Sequence, residues 1–396
     1  VSGSLSRSLF AFSGPDHAGV ASPAIYGAVM QFGAAQGAFG TTARGAPIPW
    51  GSIPARPFLG RSEEVRRRDR RGAMNVLRQR EVLLGFAILG LVGLVALRFP
   101  GFVAPANLAA VLNDTAPLII LATGQMIVIL TRAIDLSVAA NLALSGMVAA
   151  LLDGAGVPLA LILVAVLALG AALGAVNGLL VSRIGIPAIV VTLGTMTIFR
   201  GAIFLLTGGE WVNAHEMSDA FKALPRAIVA GLPVMTWIAL CVVALAALVM
   251  ARPPLGRAFY AVGGNPAAAV YAGLDAGRMQ AVAFVISGAL AGLAGYLWVA
   301  RYAVAFVNIA AGFELDVIAA CVIGGVSIAG GVGSVVGAAL GALFLGVIKN
   351  ALPVIGVSPF WQLAIAGGAI IVAVVLNAAQ ARPRGRPILR RQGERT

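Results

Sequence analysis

The chain has 396 residues, 60% of them hydrophobic and only 11% charged. That is too little charge to surround a soluble globule of this size, so the composition predicts an integral membrane protein. The net charge of +13 does not describe a nucleic-acid surface, because Lys and Arg gather before Glu81 and after Asn377 and flank the apolar body without interleaved aromatics.

Residues 1–73 form a basic leader rich in Gly, Ala, Ser and Pro that ends in the run Arg66-Arg67-Arg68-Asp69-Arg70-Arg71. It has no capacity to bury a core and is expected to be disordered. Its charges come last, the reverse of a signal peptide. From the abrupt change at Met74 the leader is expected to be a mis-called upstream extension, with the native chain starting at that methionine.

A transmembrane domain is expected over 74–380, in spans of about 20 apolar residues set between Pro, Gly and charge breaks. The spans fall near 82–97, 108–130, 136–152, 158–181, 187–206, 234–250 and 281–299. The stretch 315–350 is long enough for two more, hinged at Gly330, Gly331 and Gly333, and a last span near 361–376 precedes the basic tail 381–396. The fold class is thus all-α, a polytopic bundle of about ten helices. An even count puts both basic termini on one side, which the positive-inside rule makes the cytoplasm.

The hexamer GAALGA occurs at Gly170–Ala175 and again at Gly337–Ala342, five spans later. Units an odd number of spans apart run in opposite directions, so the hexamers mark an inverted internal repeat, or else only small-residue helix packing.

Between the sixth and seventh spans lies Pro254–Gln280, a long stretch with polar accents. Gly263 and Gly264 suit a turn, Asn265 a helix cap, Pro266 the first helical position and Gly273 the helix end, which predicts a helix of about two turns. Alternate threading makes this loop cytoplasmic, where a soluble partner could push it. The alternative is an ordinary solvated loop.

Arg132 and Asp135 stand at the break between the second and third spans. Asp135 suits a cap on the third span with Arg132 neutralising it, and a gating role is the alternative. Uncharged polar groups within the spans can hydrogen-bond the hydroxyls of a neutral solute or join helices. Asn177, Thr192 and Thr195, which lie near the repeated segment, are the candidates for a translocation path. Glu314, Asp316 and Lys349 read as span ends reaching water. Cys241 and Cys321 both sit in apolar runs, and no spacing of His, Cys or acids suggests a metal. Motifs for phosphate binding, a serine nucleophile or zinc proteolysis are absent, so hydrolysis by this chain alone is not expected.

The segments ILTRAIDLSVAANLALSG, IPAIVVTLGTMTIFRG, LTGG and GRAFYAVGGNPAAAVYAGL occur in that order. Together with the glycine-rich stretch before GVSPFWQ, they resemble the permease subunit of bacterial ATP-binding-cassette sugar importers of the ribose/xylose/rhamnose type. The resemblance covers 82–376. It implies a dimer of permease subunits in the inner membrane and a periplasmic sugar-binding protein. It also implies a cytoplasmic ATPase that uses ATP and Mg and docks on the loop carrying Gly256, Arg257, Tyr260, Gly263, Gly264, Asn265, Pro266, Ala268, Ala269 and Gly273. Pro266 departs from the pattern, because family members often have an acidic residue there. The wording is nearest to members that handle rhamnose or autoinducer-2. The competing readings are an ion-coupled secondary transporter, a membrane-embedded enzyme and a branched-chain amino-acid permease. If the native chain starts at Met74, mass spectrometry of the native protein will find no peptides from residues 1–61, and finding them would refute that start.

Overall fold

The computed structural model describes residues 10–13, 18–21, 63–252, 254–357, 361, 364, 367 and 368, and of 10–13, 18–21 and 63–80 it describes the backbone alone. These residues belong to two units divided at Val76. In the first, β1 (Phe10–Ser13) and β2 (Ala18–Ala21) pair antiparallel, with Phe10 opposite Ala21 and Ser13 opposite Ala18. This hairpin lies in the leader read as structureless; most of that leader, and the whole tail 381–396, fall outside the described residues.

The remaining elements are helical apart from one small hairpin. α1 (Glu63–Arg98) runs across the division at Val76 and is followed by α2 (Pro105–Leu130), α3 (Val138–Gly154), α4 (Leu159–Leu179) and α5 (Ala188–Thr207). A π turn at Leu180–Ile184 extends α4. Next come the short α6 (Asp219–Arg226), a hairpin of β3 (Ile228–Val229) with β4 (Leu232–Pro233), and α7 (Val234–Ala251). α8 (Leu255–Gly264) and α9 (Pro266–Tyr271) lead to α10 (Ala276–Tyr302), α11 (Phe313–Ile323) and α12 (Val335–Val354).

Prolines and side-chain caps set the helix starts. Pro105 is a first-turn residue of α2, the Asp275 carboxylate accepts from the Arg278 N–H at 2.9 Å, and the Ser334 hydroxyl accepts from the Gly337 N–H at 2.9 Å.

Among the described residues seven helices are long and apolar enough to cross a membrane: residues Glu81–Arg98 of α1, then α2, α4 with its π turn, α5, α7, α10 and α12. Two of the roughly ten expected spans differ, and one is not tested. The third is the 17-residue α3 and the eighth is only the 11-residue α11, cut short where Gly324 and Gly325 end the helix. The tenth, near 361–376, lies almost wholly outside the described residues.

α2 is the central helix. From Ala116 to Leu130 every residue but Ile119 is buried, as expected of a helix apolar on all sides. α10 and α12 pack against it, while α4, α5 and α7 show most of their surface outward, which in a membrane is the lipid side. Cys241 is on that outward surface of α7, whereas Cys321 is buried and its thiol donates to the Ala122 carbonyl at 3.3 Å. The sequence had not separated the two.

The contacts between helices are consistent with an inverted repeat. α4 lies on α10, and α12, five spans after α4, lies on α2, the counterpart of α10. In the same way α3 meets α4 and α10, and its counterpart α11 meets α12 and α2.

The two GAALGA hexamers do not follow that symmetry. Gly170 and Gly174 lie against Phe284, Gly288 and Gly292 of α10, whereas Gly337 and Gly341 lie against Ala320 and Gly324 at the end of α11. The hexamer is a device for close backbone approach that the chain uses on two different partners.

At Gly174 an added Cβ would meet the Phe284 carbonyl well inside contact distance, while at Gly194 of α5 the space is open. Gly174→Ala should therefore destabilise the purified protein by about 1–3 kcal/mol through overpacking. Gly194→Ala should stabilise it by about 0.5–1 kcal/mol through helix propensity. Thermal unfolding in detergent reads both, and two shifts of the same sign would contradict the packing described.

Candidate functional site

The segment between α7 and α10 holds two short helices. Asn265 leaves helical geometry (φ −152°), and its side-chain oxygen accepts from the Ala268 N–H at 3.1 Å. Pro266 occupies the first turn of α9, and the segment turns out at Gly273 with φ +80°. These three features match the sequence expectation. Gly263 and Gly264 do not form a turn; they are the last residues of α8.

One side of α8, made by Gly256, Ala258, Phe259, Val262 and Gly263, is buried, and Arg257 is exposed. Tyr260 is half-buried and donates its hydroxyl to the Gly333 carbonyl at 2.9 Å. On α9 only Ala269 is buried; Ala268 is exposed, as are Val270 and Tyr271 at 58% and 81%.

Gly263 is glycine because of its neighbour. A Cβ there would overlap the Leu130 carbonyl at the end of α2 and press on the Gly331 N–H, whereas a Cβ at Gly264 would meet nothing. Arg132, held at φ +66°, donates from Nε to the Gly263 carbonyl at 2.6 Å and from Nη2 to the Gly264 carbonyl at 3.0 Å. A guanidinium on the last carbonyls of α8 satisfies two orphan acceptors and complements the negative end of the helix. The Leu130 carbonyl accepts from the Gly331 N–H at 3.0 Å, and the Thr131 carbonyl accepts from Gln280 Nε2 at 3.0 Å. The end of α2 is thereby tied to α8, to the glycine loop before α12 and to the first turns of α10.

Arg132 makes no ion pair with Asp135, contrary to the local pairing that their spacing suggests. Asp135 is buried, and its Oδ1 accepts from the Ser137 N–H at 2.9 Å and the Ser137 hydroxyl at 2.6 Å. It bonds the N-cap residue of α3 rather than the free N–H groups of the first turn. In this break between spans, burial raises the Asp135 carboxyl to about 6 against the lowering effect of the Ser137 bonds.

The chain of polar groups continues into α4: Asn177 Nδ2 donates to the Ser137 hydroxyl at 2.8 Å, and Asn177 Oδ1 is buried without a partner. Asn177, Ser137 and Asp135 are thus brought together. Thr192 bonds the Ala188 carbonyl at 2.9 Å and reaches the Ile134 carbonyl at 3.3 Å, while Thr195 bonds only the Thr192 carbonyl of its own helix. Sequence reasoning missed Ser137 and Gln280, although Ser137 stands in the same DLSV run as Asp135. It gave no special weight to Gln125 or Ser287, whose buried polar side-chain atoms are also without partners.

At the opposite end of the bundle, Asp316 is buried and paired with Lys349, so this carboxylate does not reach water as its position near a helix start suggested. Arg301 pairs with Asp114 at 3.1 Å, and Arg200 donates to the Val307 and Ile309 carbonyls at 2.6 and 2.7 Å.

The contrast between neighbouring glycines can be measured. Gly263→Ala should force α8 off the end of α2, lowering stability by about 1–3 kcal/mol and opening residues 255–275 to protease. Gly264→Ala should change stability by no more than about 0.5 kcal/mol. Equal effects would mean that α8 is not seated on Leu130.

Residues 107–374 match a family model described as "Branched-chain amino acid transport system / permease component", and residues 1–78 match one described as a phage virion morphogenesis family. The ribose import permease protein RbsC of Escherichia coli strain K12 is 39% identical over 293 residues, 74% of this chain and 91% of that protein. RbsC of Haemophilus influenzae is 35% identical over the same length. The autoinducer 2 import system permease protein LsrC of Enterobacter sp. strain 638 is 36% identical over 302 residues, 76% of this chain and 88% of that protein. No solved structure matches. Residues 107–374 make up most of this chain, which therefore belongs to the branched-chain amino acid transport system permease component family, as a transport subunit related to sugar-import permeases.

Proposed function

We propose that the chain is the membrane-spanning subunit of an ATP-binding-cassette importer for a monosaccharide of the ribose, rhamnose or autoinducer-2 kind. In this reading it crosses the inner membrane about ten times with both termini in the cytoplasm. It pairs with a second permease subunit, receives sugar from a periplasmic binding protein and is driven by a cytoplasmic ATPase that uses ATP and Mg.

The observation that carries the reading is the way α9 is mounted. A short helix with exposed Ala268, Val270 and Tyr271 is joined to α8, whose end is held to the buried centre of the bundle through Arg132 and Gly263. An apolar patch on an otherwise polar loop suits a protein partner. A push on α9 would pass through the carbonyls of Gly263 and Gly264 to Arg132, and so to the break holding Asp135, Ser137 and Asn177. The uncharged groups near that break suit a neutral, hydroxyl-rich solute.

One observation favours an ion-coupled transporter instead: Asp135 is a buried carboxylate whose pKa of about 6 suits proton exchange.

Proteoliposomes containing the chain, a candidate ATPase and a candidate binding protein separate the two. ATP-dependent uptake that is indifferent to a protonophore is expected; ATP-independent uptake that collapses with the protonophore would establish the second reading. Arg132→Ala and Gly273→Val should each leave ATP hydrolysis in place and lower uptake at least about tenfold. The first loses both carbonyl bonds, and the second strains a positive φ.

A further inference from the structure

Between the last turns of α4 and the first turn of α10 lies a cavity of about 260 Å3 lined by Leu179, Ser182, Arg183, Asp275, Gly277, Arg278 and Ala281. It plays no part in the bonds that tie α8 to α2. Its lining carries two arginines against one carboxylate. Asp275 spends one oxygen capping α10 on the Arg278 N–H at 2.9 Å, and among the described residues neither guanidinium has an ion-pair or hydrogen-bond partner.

The cavity is built into the fold. The π turn at Leu180–Ile184 carries Arg183, and the absence of a side chain at Gly277 leaves space where a Cβ would approach the Ser182 carbonyl to 3.2 Å. The first turn of α10 adds backbone dipoles that favour an anion.

The surroundings state what kind of anion. Leu179 and Ile184 are 50% and 66% exposed, and Ile189 and Val190 just beyond them are exposed as well. Both arginines lie at the ends of helices of membrane-crossing length, the level at which a bilayer changes from acyl chain to headgroup. Cationic charge beneath an aliphatic wall matches a molecule with a phosphate at one end and hydrocarbon at the other.

We infer that this cavity seats the phosphate of an anionic phospholipid headgroup, with Arg183 and Arg278 as its ligands and the acyl chains running along Leu179 and Ile184. The inference rests on the membrane placement of the bundle and is independent of how transport is powered.

The test is native mass spectrometry of the purified full chain titrated with phosphatidylglycerol, with phosphatidylcholine and with inorganic phosphate. The double variant Arg183→Gln/Arg278→Gln should bind phosphatidylglycerol on the order of tenfold more weakly, with phosphatidylcholine unaffected. Arg252→Gln, an exposed cation outside the cavity, should bind as the unaltered chain does. Gly277→Val fills the cavity and keeps both charges, and it should weaken phosphatidylglycerol binding as well. Circular dichroism checks that each variant is folded, and either of these two variants suffices if the other fails to fold.

Phosphatidylglycerol binding unchanged in the folded variants would overturn the proposal. Inorganic phosphate binding the unaltered chain as tightly as the lipid would overturn the lipid assignment in favour of a free anion. Lost capture of the partner ATPase with lipid binding unchanged would assign the face to a protein and overturn it too.

Discussion

An apolar bundle tolerates irregular backbone only where every freed N–H and C=O finds a partner inside the protein. The break after α2 shows what that constraint demands. The Leu130 carbonyl is taken by Gly331, the Thr131 carbonyl by Gln280, and the side chains of Arg132 and Asp135 turn in opposite directions to serve α8 and Ser137. Because those partners come from α8, α10 and the loop before α12, ending the central helix obliges the other segments to meet there. The candidate site is the place where this obligation is discharged, and Thr131, Asp135 and Ser137 are buried there with the helix whose end they follow.

Local chemistry was legible in the sequence where it was self-contained. Asn265, Pro266 and Gly273 act on backbone within a few residues of themselves, and each does in the structure what its type suggests. Gly263 was misread because glycine suits both a turn and a close approach, and only the position of Leu130, far away in sequence, decides between them. Arg132 and Asp135 look like a pair at their spacing, but the positive φ of Arg132 belongs with a side chain that serves α8. The threonines of α5 were ambiguous for a chemical reason: a hydroxyl can return to its own helix, and both Thr192 and Thr195 do so. The short α11 was hidden because hydropathy does not register the glycines that end it.

The repeat was visible for a reason only partly connected with what it is. Equal hexamers drew attention to the fourth and ninth spans, and those spans do occupy corresponding places in the order of helix contacts. Yet Gly170 and its counterpart Gly337 meet non-equivalent neighbours. Correspondence holds between helices and fails between side chains, so each half has fitted its small residues to its own local partner.

The glycine seam between α4 and α10 also has a mechanical meaning. Where Gly170, Gly174, Gly288 and Gly292 bring backbone against backbone, no flexible side chains lie between the helices to absorb a tilt or a slide. Such backbone-on-backbone contact opposes relative tilt and slide of α4 and α10. On α5, by contrast, Gly194 and Gly201 face open space and hold no neighbouring backbone. The stiff seam joins α4, which carries Asn177, to α10, which carries Gln280. The seam therefore places Asn177 and Gln280, two groups that bond the segment after α2, on one closely packed pair of helices.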